Sequence, residues 1–142
     1  MSYHYLEHGA DQAFEVTAES KEALFMEAGH ALFSLMAELD TVKAKNRFTI
    51  ELQEEDLESL FYEWLSELLS LADLNNILFS DFAVEKITSI DDNVIELEAT
   101  ASGESIDPNR HGLQSEVKAI TYQGLRVCQE NGVWKARCVV DV

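Results

Sequence analysis

Proline is almost missing from this chain: Pro108 is the only one in 142 residues. No proline-rich linker or recognition stretch is therefore present. Cysteine is nearly as scarce. Cys128 and Cys138 stand alone, too few for the usual zinc site. No apolar run approaches the roughly 18 residues that a membrane-spanning helix needs. The start, Met1–Ser2–Tyr3–His4–Tyr5, lacks the basic-then-apolar order of a signal peptide, so a cytoplasmic protein with no membrane partner is expected. Cations are also few, with 10 Lys and Arg against 27 Asp and Glu and a formal net charge of −17. That balance opposes non-specific binding to a phosphate backbone, whose affinity comes mainly from cations. Direct nucleic-acid binding is not expected, whereas a basic protein partner or metal cations are compatible with the charge. Gly-x-Ser-x-Gly, Walker A, Gly-x-Gly-x-x-Gly and His-Glu-x-x-His are all absent. With neither nucleophile nor base in evidence, the sequence does not read as an enzyme.

What is present reads as one globular α+β domain over residues 1–142, with 46% hydrophobic and 26% charged residues. Two short strands are predicted over 3–8 and 13–18, joined by His8–Gly9–Ala10–Asp11, with Gly9 available for a tight turn. Ser20 is the expected N-cap of a helix from Lys21 to about Leu39. Its apolar face is Leu24, Ala28, Leu32, Leu35 and Leu39, widened by Phe25, Ala31 and Met36. His30 in this helix reads as a surface or rim residue. Residues 47–53 alternate, with Phe48, Ile50 and Leu52 inward. A second helix runs from about Asp56 to Ala72, on a stripe of Leu57, Leu60, Phe61, Trp64, Leu65, Leu68 and Leu71. The carboxylates of its first turn suit the helix dipole. A β-rich half follows: one strand or a bulged pair over Phe82–Ala83–Val84 and Ile87 to Ile90, a turn at Asp91–Asp92–Asn93, and a strand from Val94 to Ala101. Then comes a polar connection, Gly103 to Gly112, rich in Glu, Asp, Arg and His.

The run Glu116–Val117–Lys118–Ala119–Ile120–Thr121–Tyr122 is expected as a strand, with Lys118 as a charge in its middle. That charge reaches solvent over an apolar stem or marks the rim of a polar site. Asn131–Gly132 predicts a two-residue hairpin turn, which pairs Cys128 with Lys135 and puts Cys138 on the opposite side of the sheet. A disulfide between the two is not expected. In the last strand, Val133 to Val142, one face carries Trp134, Ala136, Cys138 and Val140, and the other carries Lys135, Arg137 and Asp141. Where the natural chain ends at Val142, its main-chain carboxylate sits beside that of Asp141. A third carboxylate, such as Asp11, would complete a hard-cation site. Spacing alone does not bring Asp11 to Asp141.

Several segments together resemble the archease family. His8–Gly9–Ala10–Asp11 is similar to its His-Thr-Ala-Asp motif, with Gly9 in place of the usual Thr, and Gln12 stands where an aliphatic residue is common. Leu32–Phe33–Ser34–Leu35–Met36 and Trp64–Leu65–Ser66–Glu67–Leu68–Leu69 resemble its helices. Gly103–Glu104, Arg110–His111, Glu116 to Tyr122 and the ending Val140–Asp141–Val142 follow in matching order, so the resemblance covers essentially the whole chain. It implies a single SHS2-like domain with two amphipathic helices packed on a mostly antiparallel sheet. It also implies a non-catalytic partner of a GTP-dependent, RtcB-type RNA ligase of tRNA splicing and RNA repair, one that promotes ligase guanylylation and repeated turnover. Carried over residue by residue, Asp11, Asp141 and the Val142 carboxylate would hold a divalent ion (Ca²⁺, Mn²⁺ or Mg²⁺). His8, Glu104, His111 and Lys118 would support that site or touch the ligase. Two competing readings are a chaperone-like modulator of RNA-modifying enzymes, such as a tRNA methyltransferase, and a metal-dependent hydrolase.

Overall fold

The computed structural model describes residues 1–8 and 11–142, without the side chains of Glu7 and His8. The Gly9–Ala10 turn expected from the sequence lies outside the described residues. Strands β1 (Ser2–His8) and β2 (Asp11–Ala18) pair antiparallel. Helix α1 (Lys21–Ser34) follows, and Ser20, in an extended conformation, accepts the Ala23 N–H at 3.1 Å. Serine at an N-cap satisfies a donor that the first turn leaves open. After a single 3-10 turn (Leu39–Thr41) come β3 (Asn46–Glu54) and helix α2 (Leu57–Asn75). Asp56 caps α2 by accepting the Ser59 N–H at 2.8 Å, and Asn76 ends it in the left-handed region at φ 53°. The remaining strands are β4 (Ile77–Asp91), β5 (Val94–Ser105), β6 (Ala119–Glu130) and β7 (Val133–Asp141).

The strands form two antiparallel sheets rather than one. The first has the order β1-β2-β7-β6 and the second β3-β5-β4. Residues of both sheets and both helices share one core, and each helix touches both sheets. Alternation along β2 and β7 explains the division of faces. Phe14, Val16, Ala18, Ala136, Cys138 and Val140 turn inward to that core, while Glu15, Thr17, Lys135 and Arg137 turn outward. Phe25 and Phe61 join the helices edge to face at 5.1 Å, and the indole of buried Trp64 donates to the Phe25 carbonyl at 2.9 Å. His30 is half-buried, with its ring 5.0 Å from that of Phe82, as a rim residue rather than part of a polar cluster.

Strand β5 runs to Ser105, so Gly103 and Glu104, expected in the polar connection, belong to the sheet, and two further departures meet at one place. Helix α1 stops at Ser34, not near Leu39, and the last strand pair opens at Ala119, not Glu116. The segment before β6 lies against the end of α1. The Ser115 and Gln114 N–H groups donate to the carbonyls of Leu35 (3.0 Å) and Met36 (2.9 Å). Leu35 is the C-cap and Met36 the residue after it, so their carbonyls have no donor within the helix, and a distant loop satisfies them. The apolar stripe therefore continues past the point where the helix does.

Candidate functional site

The two middle strands of the first sheet, β2 and β7, bring segments near the two ends of the chain together. The β2–β7 register runs from Ala18–Trp134 to Gln12–Val140. One step further stand Asp11, the first residue of β2, and Asp141, the last of β7. Directly opposed residues of an antiparallel pair project to the same side, so both carboxylates belong to the outward side of this sheet end. Asp141 is exposed, and Asp11 and Val142 are half-buried. On the other side of β7, Asp141 pairs with Ala119, and its carbonyl accepts the Lys118 N–H at 2.8 Å. Backbone pairing therefore holds the tip from both neighbours and leaves Asp141 exposed.

No three His, Cys, Asp or Glu side chains among the described residues are grouped for a metal. The expected set contains only two such side chains, Asp11 and Asp141, and its third donor is the Val142 main-chain carboxylate. All three are hard oxygen donors, which fits Ca²⁺, Mg²⁺ or Mn²⁺ and not a soft metal. His8 pairs with Asp11 through the backbone register, and its side chain lies outside the described residues.

Glu104 and His111 are brought together in a second, buried cluster. Glu104 is 4% exposed and His111 0%. The Glu104 carboxylate accepts the Lys43 backbone N–H at 2.7 Å and a guanidinium N–H of Arg110 at 2.7 Å. His111 Nε2 lies 3.1 Å away and Lys45 Nζ 3.7 Å. His111 Nδ1 accepts the Asp107 N–H at 2.9 Å. The ring therefore carries its proton on Nε2 and donates it to Glu104. The Lys43 N–H, with help from His111 and Arg110, holds the Glu104 carboxyl down at about 2, against the opposing effect of burial. The cluster fastens the Asp107–His111 turn to the end of β5. The His111 carbonyl in turn accepts the Glu38 N–H at 3.0 Å. All four of these Glu104 contacts are accounted for within the cluster, so its work is to shape the loop that leads into β6.

Lys118 is exposed and has no ion pair within 4.0 Å among the described residues. It lines a cleft of about 580 Å³ between the second half of α2 and residues 113–118. Its backbone, not its ammonium, supports the tip. Sequence reasoning missed Lys43 and Lys45 as partners of Glu104. Their only signal was position, two cations shortly before β3.

The sequence profile of the Archease protein family (MTH1598/TM1083) matches residues 3–142. The chain belongs to the archease family. A protein archease of Methanopyrus kandleri is 39% identical over 142 residues, covering 100% of both chains. The solution structure of Methanobacterium thermoautotrophicum protein 1598 superposes with a TM-score of 0.87 at 36% identity, covering 99% of this chain and 98% of that one. A Thermotoga maritima crystal structure, described as an archease and possible chaperone, has the same fold at a TM-score of 0.61 and 21% identity, covering 96% and 94%. The archease fold is thus two helices against antiparallel sheets in one domain. Among the described residues, no helix is long and apolar enough to cross a membrane.

Proposed function

We propose that this archease is a non-catalytic activator of an RtcB-type, GTP-dependent RNA ligase, acting through its acidic tip in tRNA splicing and RNA repair. The observation that carries the reading is the register that sets Asp11 and Asp141 at adjoining ends of β2 and β7. The family match over nearly the whole chain supports it. Asp11, Asp141 and the Val142 carboxylate would hold a divalent cation, which when bound offsets negative charge during nucleotidyl transfer. The strands fix where the two aspartates stand, and solvent exposure leaves Asp141 free to enter a partner's cleft. A net charge of −17 suits approach to a basic, phosphate-binding surface.

The test is RNA ligation by the ligase in single and multiple turnover, with and without this chain. Asp11→Asn combined with Asp141→Asn should abolish stimulation, as should residues appended after Val142, with the thermal transition unchanged. Undiminished ligase turnover with the double variant overturns the reading. A chaperone-like modulator, the description carried by the Thermotoga protein, would stabilise partners without needing Asp141. Turnover of phosphoesters or nucleotides by the purified protein with Mn²⁺ would indicate a hydrolase instead.

A further inference from the structure

The outward face of the first sheet holds a second charged feature, of the opposite sign to the rest of the molecule. The register places His4, Glu15, Arg137 and Arg126 in one row across all four strands. Lys135 and Cys128 form a pair in the next row on the same face. Together these residues line a cleft of about 330 Å³. It is on the side of the sheet away from the helices, two rows from the acidic tip.

Three of the chain's 10 Lys and Arg residues meet here, and their charges are poorly matched. Arg126 and Arg137 are direct cross-strand partners, and opposed like charges destabilise a sheet. Glu15 is the register partner of Arg137, but its carboxylate is 3.1 Å from His4 Nε2. Glu130 is spent on Lys135, at 3.4 Å. Among the described residues neither arginine has an ion pair within 4.0 Å. The Nε of Arg137 is buried with no hydrogen-bond partner, and a buried donor left unpaired carries its full desolvation cost. The two carboxylates that line the cleft, Glu15 and Glu130, lie against His4 and Lys135 and form no ion pair with either guanidinium group.

We propose that this cleft is a phosphate-binding site, whose ligand is a single dianionic phosphate group, free or carried on a small organic molecule such as a mononucleotide. The group sits between the guanidinium forks of Arg126 and Arg137, with the Lys135 ammonium at the rim. Two unpaired guanidinium charges balance a phosphate of roughly −1.5 to −2 at neutral pH. Planar forks match phosphate oxygens in pairs of parallel hydrogen bonds, and one of those oxygens gives the Arg137 Nε its acceptor. A carboxylate carries half the charge and too few oxygens for two guanidinium forks. A polymeric nucleic acid is repelled by the surrounding −17 molecule, whereas a single phosphate needs only the local field.

The experiment is nitrogen-15 NMR of the arginine side-chain N–H signals during titration with inorganic phosphate, AMP and sodium chloride at matched ionic strength. A saturable shift of the Arg137 Nε–H signal with phosphate or AMP, absent with chloride, is expected. AMP binding more tightly than phosphate identifies the carried form, and equal affinities identify the free ion. Arg126→Gln alters an exposed side chain, and its folding is read from the amide spectrum. It should weaken phosphate binding by about tenfold or more. No saturable shift, an equal response to chloride, or unchanged affinity in Arg126→Gln overturns the proposal.

Discussion

Replacing Gly103 with alanine adds one methyl group at the closest approach of two backbones. Gly103 lies in β5, the middle strand of the second sheet, with Asn46 of β3 on one side and Phe79 of β4 on the other. A Cβ at Gly103 lands on the Leu78 carbonyl oxygen, 2.7 Å from the Leu78 carbonyl carbon and 2.8 Å from the Phe79 Cα. Comfortable carbon contacts are about 3.5–4.0 Å, so the strands must part by about 1 Å. No side chain can swing away, because every clashing atom is backbone. Nor can β5 retreat without disturbing β3. Overpacking of this kind costs about 1–3 kcal/mol, and weakening one or two ladder hydrogen bonds adds about 1 kcal/mol each. A loss of about 3 kcal/mol lowers the thermal midpoint of a chain this size by about 10 °C. Gly132→Ala is the paired control. Nothing lies within 4 Å of its added Cβ, but its φ of +79° is left-handed, which costs about 1 kcal/mol for a non-glycine residue. Circular dichroism melts of both variants make the comparison. A Gly103→Ala midpoint at or above that of Gly132→Ala would refute the argument that backbone proximity sets the identity of this residue.

Two further outcomes follow from the buried groups. The Glu104 carboxyl should titrate near 2 rather than 4.5, as read by carbon-13 NMR of its side chain. Because its folded value is depressed, its contribution to stability is complete above about 4.5 and disappears as pH falls toward 2. Arg110→Ala should move the titration upward, and a Glu104 signal at the ordinary position would contradict the hydrogen bonding described. Burial pushes the Cys138 thiol up to about 12, whereas Cys128 is half-buried on the other face. A maleimide at pH 8 should therefore label Cys128 alone in the folded protein and both thiols after unfolding. Equal labelling rates in the folded state would count against the assigned faces.

Local patterns made the two helices, the Ser20 cap and the inward faces of the strands readable, because periodicity and capping are properties of neighbouring residues. The Asn131–Gly132 turn did more. With φ values of 52° and 79°, it fixes the β6–β7 register near the hairpin, and the Cys128–Lys135 pair follows from the sequence. The same step places Arg126 opposite Arg137, a consequence present in the sequence but not drawn from it. Long-range pairing was not legible. Whether the strands make one sheet or two depends on which edges meet, and alternation says only which face is buried. The end of α1 was hidden because the carbonyls just past it, of Leu35 and Met36, are met by the distant Gln114 and Ser115. The Asp11–Asp141 juxtaposition needs β2 to lie beside β7, and only the family resemblance suggested it. Lys118 looked anomalous within a strand, yet it precedes the strand and stands in water.

The position of β7 has a consequence for how the molecule is made. The last strand of the chain is not an edge strand: it is inserted between β2 and β6, one formed from the earliest residues and one from the latest. While the polypeptide is being synthesised, β1 and β2 can pair, but their open edge waits for Val133–Asp141. The shared core also lacks Ala136, Cys138 and Val140 until then. The domain therefore folds after nearly all of its sequence has emerged, and a chain truncated before β7 leaves two unpaired strand edges and an open apolar face. Such a fragment is prone to aggregation or capture by chaperones.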